Sequence, residues 1–140
     1  RVAREFSYKA AQASGDGWVL IGDAYGFIDP VYSSGVYFAL KMGEMAADCV
    51  IEGLQKADTS APQLGAWANE FDAAAGHMRK LVAAFYTREF SIGKFIKAHP
   101  EHRGNLTDLL IGRIFRPEAG RIFEDMDRWL AEAKLPQTQS

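Results

Sequence analysis

The sequence has little cysteine: Cys49 is the only one among 140 residues. A single cysteine excludes a disulfide within the chain, which fits the reducing cytoplasm, where we expect the protein to work. Long hydrophobic runs are lacking as well, since no stretch approaches the ~20 apolar residues of a membrane span. Charge of one sign is not in excess either, because 16 basic residues offset 18 acidic ones. We therefore expect neither nucleic acid nor a membrane as a partner.

The first predicted elements are two short strands. Residues 5–10 alternate between aromatic and polar side chains, which is typical of a strand. The apolar run 18–21 predicts a second strand that is covered on both faces. Turn-forming residues at 12–17 separate the two, which favours either a hairpin between them or the edge of a sheet whose remainder is missing from this sequence.

Five helices are predicted after residue 34 from 3.6-residue periodicity, capping residues and breaks. The first runs from Gly35 to about Gly53, and its charges fall in one narrow stripe, so we expect it to be mostly buried. Ser60 and Gln63 resemble a capping box, which predicts a long helix to about residue 86. The remaining predicted helices are 87–98, 105–115 capped by Asn105, and 117–134 opened by Pro117.

The most informative stretch, residues 22–40, joins the second strand to the first helix. Gly22-Asp23-Ala24 stands where the strand ends, the position at which α/β folds bind ligands. A glycine there permits close backbone approach, and a carboxylate can accept hydrogen bonds from hydroxyls. Ser33-Ser34-Gly35-Val36 opens the helix, whose unpaired N–H groups can face an anion or an electron-rich ring. A capping aspartate and a simple helix cap are the plainer interpretations, but Pro30 and the Ser-Ser-Gly turn at this distance favour a binding site.

This run resembles the second flavin-contacting motif of FAD-dependent monooxygenases. The strongest resemblance is to the flavin-dependent halogenase branch, in which the pattern Gly-Asp-Ala…Asp-Pro-x-x-Ser-Ser-Gly-Val recurs. It is dense over residues 22–40 and looser from Phe6 to about Phe123. The fold class that it implies is α+β and mainly helical, the C-terminal portion of an FAD-binding α/β fold of the glutathione-reductase/monooxygenase type. By this resemblance, residues 1–56 complete the FAD-binding domain and residues 57–140 form a C-terminal helical region.

The resemblance also implies a set of flavin contacts. It places Asp23 on the ribityl chain of FAD, and the backbone of Ser34 and Gly35 beside a halide. No metal is expected. No catalytic residue can be named, because the catalytic lysine of halogenases lies in the N-terminal part of the family and Lys41 does not replace it. The implied FAD contacts are Gly22, Asp23, Ala24, Pro30, Ser33, Ser34, Gly35 and Val36.

The parent protein that the resemblance implies is an FAD-dependent oxidoreductase. It would be a halogenase-like monooxygenase that acts on an electron-rich small molecule, with a flavin reductase as a candidate partner. The chain opens with Arg1 and lacks the Gly-x-Gly-x-x-Gly loop that holds the ADP half of FAD. We therefore interpret it as the C-terminal part of a longer protein and expect it to be inactive on its own. Tyr32 stands where tryptophan halogenases carry a glutamate, which argues against free tryptophan as the substrate.

Two alternative functions stay open. Prenyl reductases share a Gly-Asp-Ala-x-Gly-x-x-x-Pro run and reduce C=C bonds, although their Thr-Gly-Glu-Gly turn differs from Ser33–Val36. The helical region from Ser60 onward could instead be a non-catalytic interaction module.

The remaining polar candidates are predicted to be structural. His99, Glu101 and His102 are metal-ligand residue types, but their spacing across a proline matches no strong ligand pattern, so a solvated loop is predicted. His77 is predicted to lie on the surface, and Cys49 to be a buried, inert thiol.

Overall fold

Helices make up most of the structure, a computed structural model that describes residues 7–29, 32–88 and 90–134. The chain divides into two compact units, residues 7–74 and 75–134. All strands of the described chain lie in the first unit, so the observed class is α+β and mainly helical, as predicted. The predicted domain boundary at residue 56 concerns the parent fold and stays a prediction.

The elements follow one another in a simple order. Those of the first unit are β1 (Tyr8–Lys9), β2 (Ser14–Gly15), β3 (Trp18–Val19), a 3₁₀ turn (Gly22–Ala24), β4 (Gly26–Phe27), α1 (Gly35–Lys56) and α2 (Ala61–Leu64). Helix α3 (Ala68–Phe85) contains the boundary between the units. Those of the second unit are α4 (Ile92–Ala98), a 3₁₀ turn (Pro100–His102), α5 (Arg103–Leu110), a 3₁₀ turn (Pro117–Gly120) and α6 (Ile122–Lys134).

The strands pair differently from the prediction. β3 pairs antiparallel with β2, whose residues were predicted to be a turn, and β1 pairs antiparallel with β4. The predicted hairpin between residues 5–10 and 18–21 is therefore wrong. Burial on both faces is also wrong, because Trp18 and Ile21 are each 44% exposed. Each of the two strand pairs is only two residues long, so within the described chain no second layer covers this segment.

Helix α1 begins at Gly35, as predicted, and ends three residues later than expected, where Ala57 adopts a left-handed conformation. Its burial is less complete than predicted. The described chain covers one face only, and an apolar face with large exposed side chains remains beside the charged stripe. The buried residues are Phe38, Met42, Ala46 and Gly53, and the exposed aliphatic ones include Val36, Leu40, Ile51 and Leu54.

The predicted long helix over residues 60–86 is broken into α2 and α3. The capping box is wrong, since Ser60 makes no side-chain capping bond. The β2–β3 hairpin supplies the cap instead: Asp16 Oδ1 accepts from Ala61 N–H at 2.9 Å. Ser14 Oγ donates to the carbonyl of Ala61 at 2.8 Å, which brings β2 against the end of α2. A Cβ on Gly65 would lie 2.3 Å from Ser14 Oγ, so this contact also favours glycine at the break.

The helices of the second unit are shorter than predicted. α4 begins at Ile92 rather than residue 87, and Ser91 Oγ accepts from Lys94 N–H at its start. Asn105 is not a cap: it lies inside α5, and its side chain donates to the carbonyl of Glu118 at 3.0 Å. α5 ends before Gly112, which has φ +81°. Pro117 opens a 3₁₀ turn, and α6 begins at Ile122.

Each unit has its own apolar core. The core of the first unit includes Tyr25, Phe38, Met42, Leu64, Trp67 and Phe71. The core of the second unit includes Met78, Leu81, Phe95, Leu109, Ile122 and Met126. Across the described residues, no helix has the length and apolar character required to cross a membrane.

Candidate functional site

The 3₁₀ turn that follows β3 forms the first half of the candidate site. Gly22 has φ +57°, in the left-handed region, and the N–H of Tyr25 donates to its carbonyl at 3.0 Å. A Cβ on Gly22 would lie 3.6 Å from Ala39 Cβ, an ordinary contact. Backbone conformation rather than space therefore favours glycine. The same packing places the turn beside the first turns of α1.

Asp23 is exposed in the middle of this turn. Its backbone carbonyl accepts a hydrogen bond from Tyr8 Oη at 2.8 Å, which fixes the turn against β1. Over residues 7–29, 32–88 and 90–134, no hydrogen bond or ion pair involves its carboxylate. The N-cap of the turn is Ile21, so Asp23 does not cap it. The carboxylate is available to accept hydrogen bonds from a ligand.

The start of α1 forms the second half of the site. Ser34 is the N-cap residue; it is buried and makes no side-chain capping hydrogen bond. The first turn holds no acidic residue, and helix geometry leaves the N–H groups of Gly35, Val36 and Tyr37 without an intrahelical partner. A Cβ on Gly35 would meet no atom of the described chain within 4 Å. This helix start is thus open to a negative or electron-rich group.

The other predicted contacts surround these two halves. Ala24 and Val36 are exposed, and Ser33 is exposed with φ +53°, an uncommon conformation for serine. Pro30 lies outside the described residues. Tyr32 is half-buried, and this burial raises the pKa of its hydroxyl. The packing of Gly22 on Ala39 brings the strand end and the helix start together, while their contact with a flavin stays a prediction.

Tyr25 anchors the site to α3. Its ring is buried and lies edge-on to Trp67 at 5.1 Å between centroids. Its hydroxyl donates to Asp72 Oδ2 at 2.7 Å, and Lys9 Nζ lies 2.7 Å from the same oxygen. Sequence reasoning did not single out these residues, because no local pattern connects positions 63 apart. The one available signal was a tyrosine between the two glycines of the motif.

Two other sequence predictions need correction. His77 is half-buried rather than a surface residue, because its ring stacks on Phe123 at 5.5 Å between centroids. Cys49 is half-buried rather than fully buried, and it lines a cleft of about 270 Å³ together with Trp67 and Glu70. Both errors arise because helical periodicity indicates a face but not what packs against it.

The comparison with protein families identifies the class. The tryptophan halogenase family matches residues 6–92, which is more than half of the chain. The chain therefore belongs to the tryptophan halogenase family, as the resemblance to the flavin-dependent halogenase branch predicted.

Individual relatives agree with this assignment. A 1H-pyrrole-2-carbonyl-[peptidyl-carrier protein] brominase of Pseudoalteromonas luteoviolacea is 45% identical over 41% of the chain and 14% of its own length. The corresponding chlorinase of Pseudomonas fluorescens is 27% identical over 89% of the chain and 27% of its length. A flavin-dependent halogenase of Armillaria mellea is 42% identical over 63% of the chain and 14% of its length. The chain thus spans between about a seventh and a quarter of these relatives.

Proposed function

We propose that the chain is the C-terminal part of an FAD-dependent halogenase that acts on an electron-rich aromatic ring. The observation that carries the proposal is the pairing of two open groups. The Asp23 carboxylate has no partner in the described chain. The start of α1 has no side-chain cap, and the packing of Gly22 on Ala39 brings it close to the turn that contains Asp23. Asp23 and the first three residues of α1 are exposed, so a ligand can reach both groups.

The residues present fit the isoalloxazine and ribityl half of FAD. Asp23 would accept hydrogen bonds from ribityl hydroxyls, and the N–H groups at the start of α1 would donate to the polar edge of the ring. Gly35 leaves the approach of the ring unobstructed. The ADP half needs a glycine-rich loop that this sequence does not contain. When bound, the flavin supplies the redox chemistry with O₂, and these residues supply binding and orientation.

The same helix start suits a halide. Backbone N–H groups at Ser34 and Gly35 can donate to an anion, and the absence of acidic residues from the first turn leaves the positive end of the helix dipole uncompensated. The halide and the edge of the flavin ring would then both lie at the N-terminus of α1.

The substrate class is inferred from Tyr32 and from the relatives. An aromatic residue in place of the glutamate of tryptophan halogenases favours a pyrrole or phenol ring over free tryptophan. Relatives named for pyrrole halogenation and a sulochrin halogenase of Aspergillus terreus support this class. A separate flavin reductase is the proposed source of reduced flavin.

The test uses the parent protein with FAD, a flavin reductase, NADH, O₂ and either bromide or chloride. The expected product is a pyrrole or phenol in which one ring hydrogen is replaced by halogen, identified by its mass and isotope pattern. A hydroxylated product without halogen at any halide concentration would support a monooxygenase instead. Reduction of a C=C bond without O₂ consumption would support the reductase alternative.

A further inference from the structure

A second cluster of functional groups lies in the other unit, between the turn after α4 and helix α6. It consists of two imidazoles and two carboxylates: His99, Glu101, His102 and Asp125. One ligand atom from each lies within 4.8 Å of the ligand atoms of the other three. The sequence predicted a solvated loop for the first three, because their spacing across a proline matches no strong ligand pattern. That prediction is wrong for His102, which is buried in the 3₁₀ turn, and Asp125 lies 23 positions further along the chain.

Aromatic packing holds the two imidazoles in place. The ring of Phe95 lies 4.9 Å from that of His99 and 6.0 Å from that of His102, between centroids, and it is stacked on the latter. The ring of Trp129 lies edge-on to His99 at 6.1 Å. Side chains that are fixed in this way lose little conformational freedom when they bind a ligand.

Asn105 orients His102 toward Asp125. The side-chain amide of Asn105 donates to the carbonyl of Glu118, so its oxygen accepts from His102 Nδ1 at 3.3 Å. In the neutral ring this leaves the lone pair on Nε2, which lies 2.7 Å from Asp125 Oδ2. Two lone pairs at this distance repel each other, so Nε2 either carries a proton that it donates to Asp125 or, at a longer separation, shares a metal ion with it. An outer partner that fixes the tautomer of a histidine is also typical of metal centres.

The cluster is accessible from solvent. His99 and Asp125 line a cleft of about 280 Å³ with Arg128, Trp129 and Glu132. Arg128 is exposed and contacts Asp125 through Oδ1, at 3.2 Å, so Oδ2 remains directed at His102. An ion can therefore enter without rearrangement of the core.

We propose that His99, Glu101, His102 and Asp125 form a zinc site that ties the turn after α4 to helix α6. Two nitrogen and two oxygen ligands suit a tetrahedral divalent transition metal. Tetrahedral zinc places its ligand atoms ~3.4 Å apart. The 3.3 Å between His99 Nδ1 and Glu101 Oε1 agrees with this spacing. The 2.7 Å between His102 Nε2 and Asp125 Oδ2 is shorter, so these two atoms have to move apart when zinc replaces the proton between them. Four protein ligands leave no open position, so the role is structural.

The experiment is a zinc titration of the metal-free 140-residue chain by calorimetry, with Co²⁺ absorption as a probe of coordination geometry. We expect one ion per chain, a tetrahedral cobalt spectrum and a higher melting temperature with zinc. Asp125→Asn and Glu101→Gln should each weaken zinc binding by at least ~10-fold. These variants avoid truncating the buried His102, and circular dichroism checks that they fold.

The matched control is Asp127→Asn, on the same helix and with the same change of charge. Asp127 lies 3.7 Å from Lys80 and takes no part in the cluster, so this variant should bind zinc as the unchanged chain does. Three results would each overturn the proposal: no saturable zinc binding, equal binding of Mg²⁺, or equal losses in the Asp125 and Asp127 variants.

Discussion

At the scale of the residue, the freedom of the Asp23 carboxylate yields a direct test of the flavin site. In the parent protein, Asp23→Ala should weaken FAD binding roughly ten- to hundredfold, because it removes charge-assisted hydrogen bonds worth ~1.5–3 kcal/mol. The free energy of unfolding should change by less than ~0.5 kcal/mol, since no described group depends on the carboxylate. Flavin fluorescence titration and urea unfolding of the apoprotein measure the two effects.

The control for this variant is Asp16→Ala. Asp16 caps α2 through the Ala61 N–H, so its loss should cost about 1 kcal/mol of stability and leave FAD affinity unchanged. The opposite pattern, with the Asp23 variant less stable but normal in FAD binding, would show that Asp23 is a structural residue.

A substitution at Gly35 tests whether the start of α1 contacts the flavin. Gly35→Val in the parent should lower FAD affinity or slow flavin reoxidation, because the branched side chain occupies the proposed approach of the ring. The fold should be little affected, since a Cβ meets no described atom within 4 Å and the propensity change is only ~0.5 kcal/mol. Gly104→Val, in the first turn of α5 and equally open, should alter neither quantity. Equal flavin behaviour of the two variants would contradict the site.

At the scale of the element, a close backbone contact constrains the C-terminal end of helix α1 at Gly53. Gly53→Ala should destabilise the chain by about 1–3 kcal/mol, although alanine favours helix, because the new Cβ would lie 2.5 Å from the carbonyl oxygen of Asp58. Gly76→Ala in α3 meets no described atom and should instead stabilise by up to ~1 kcal/mol. Thermal unfolding of the two variants in parallel measures both effects. A stabilised Gly53 variant would contradict the close contact between residue 53 and the Asp58 carbonyl oxygen.

The elements also show how far sequence reasoning reaches. The extent of helix α1 was predicted well because its periodicity extends over many turns, whereas its burial was overestimated. The β2–β3 hairpin was missed because strands of two residues carry no periodicity, and the cap of α2 was missed because Asp16 lies 45 residues away. In the candidate site, the local motif indicated Asp23 and Gly35, whereas the anchor from Tyr25 to Asp72 depends on tertiary contact.

At the scale of the whole molecule, the 140-residue chain should not retain FAD. Its residues address the ring and ribityl half only, and a ligand held at one half loses the linked binding energy of the other. Gel filtration of the chain with equimolar FAD, followed by flavin absorbance of the protein peak, measures this. Stoichiometric retention would contradict the interpretation of the chain as part of a larger flavin-binding fold.

The exposed apolar face of α1 should make the isolated chain self-associate. Val36 is 75% and Leu40 70% exposed, and Ile51 and Leu54 continue the same face. A contiguous patch of this kind drives self-association. The chain alone should therefore bind hydrophobic dyes and scatter light increasingly with concentration, and Leu40→Glu with Leu54→Lys should abolish both effects without lowering the melting temperature. Solubility, rather than folding, would then limit work with the chain in isolation.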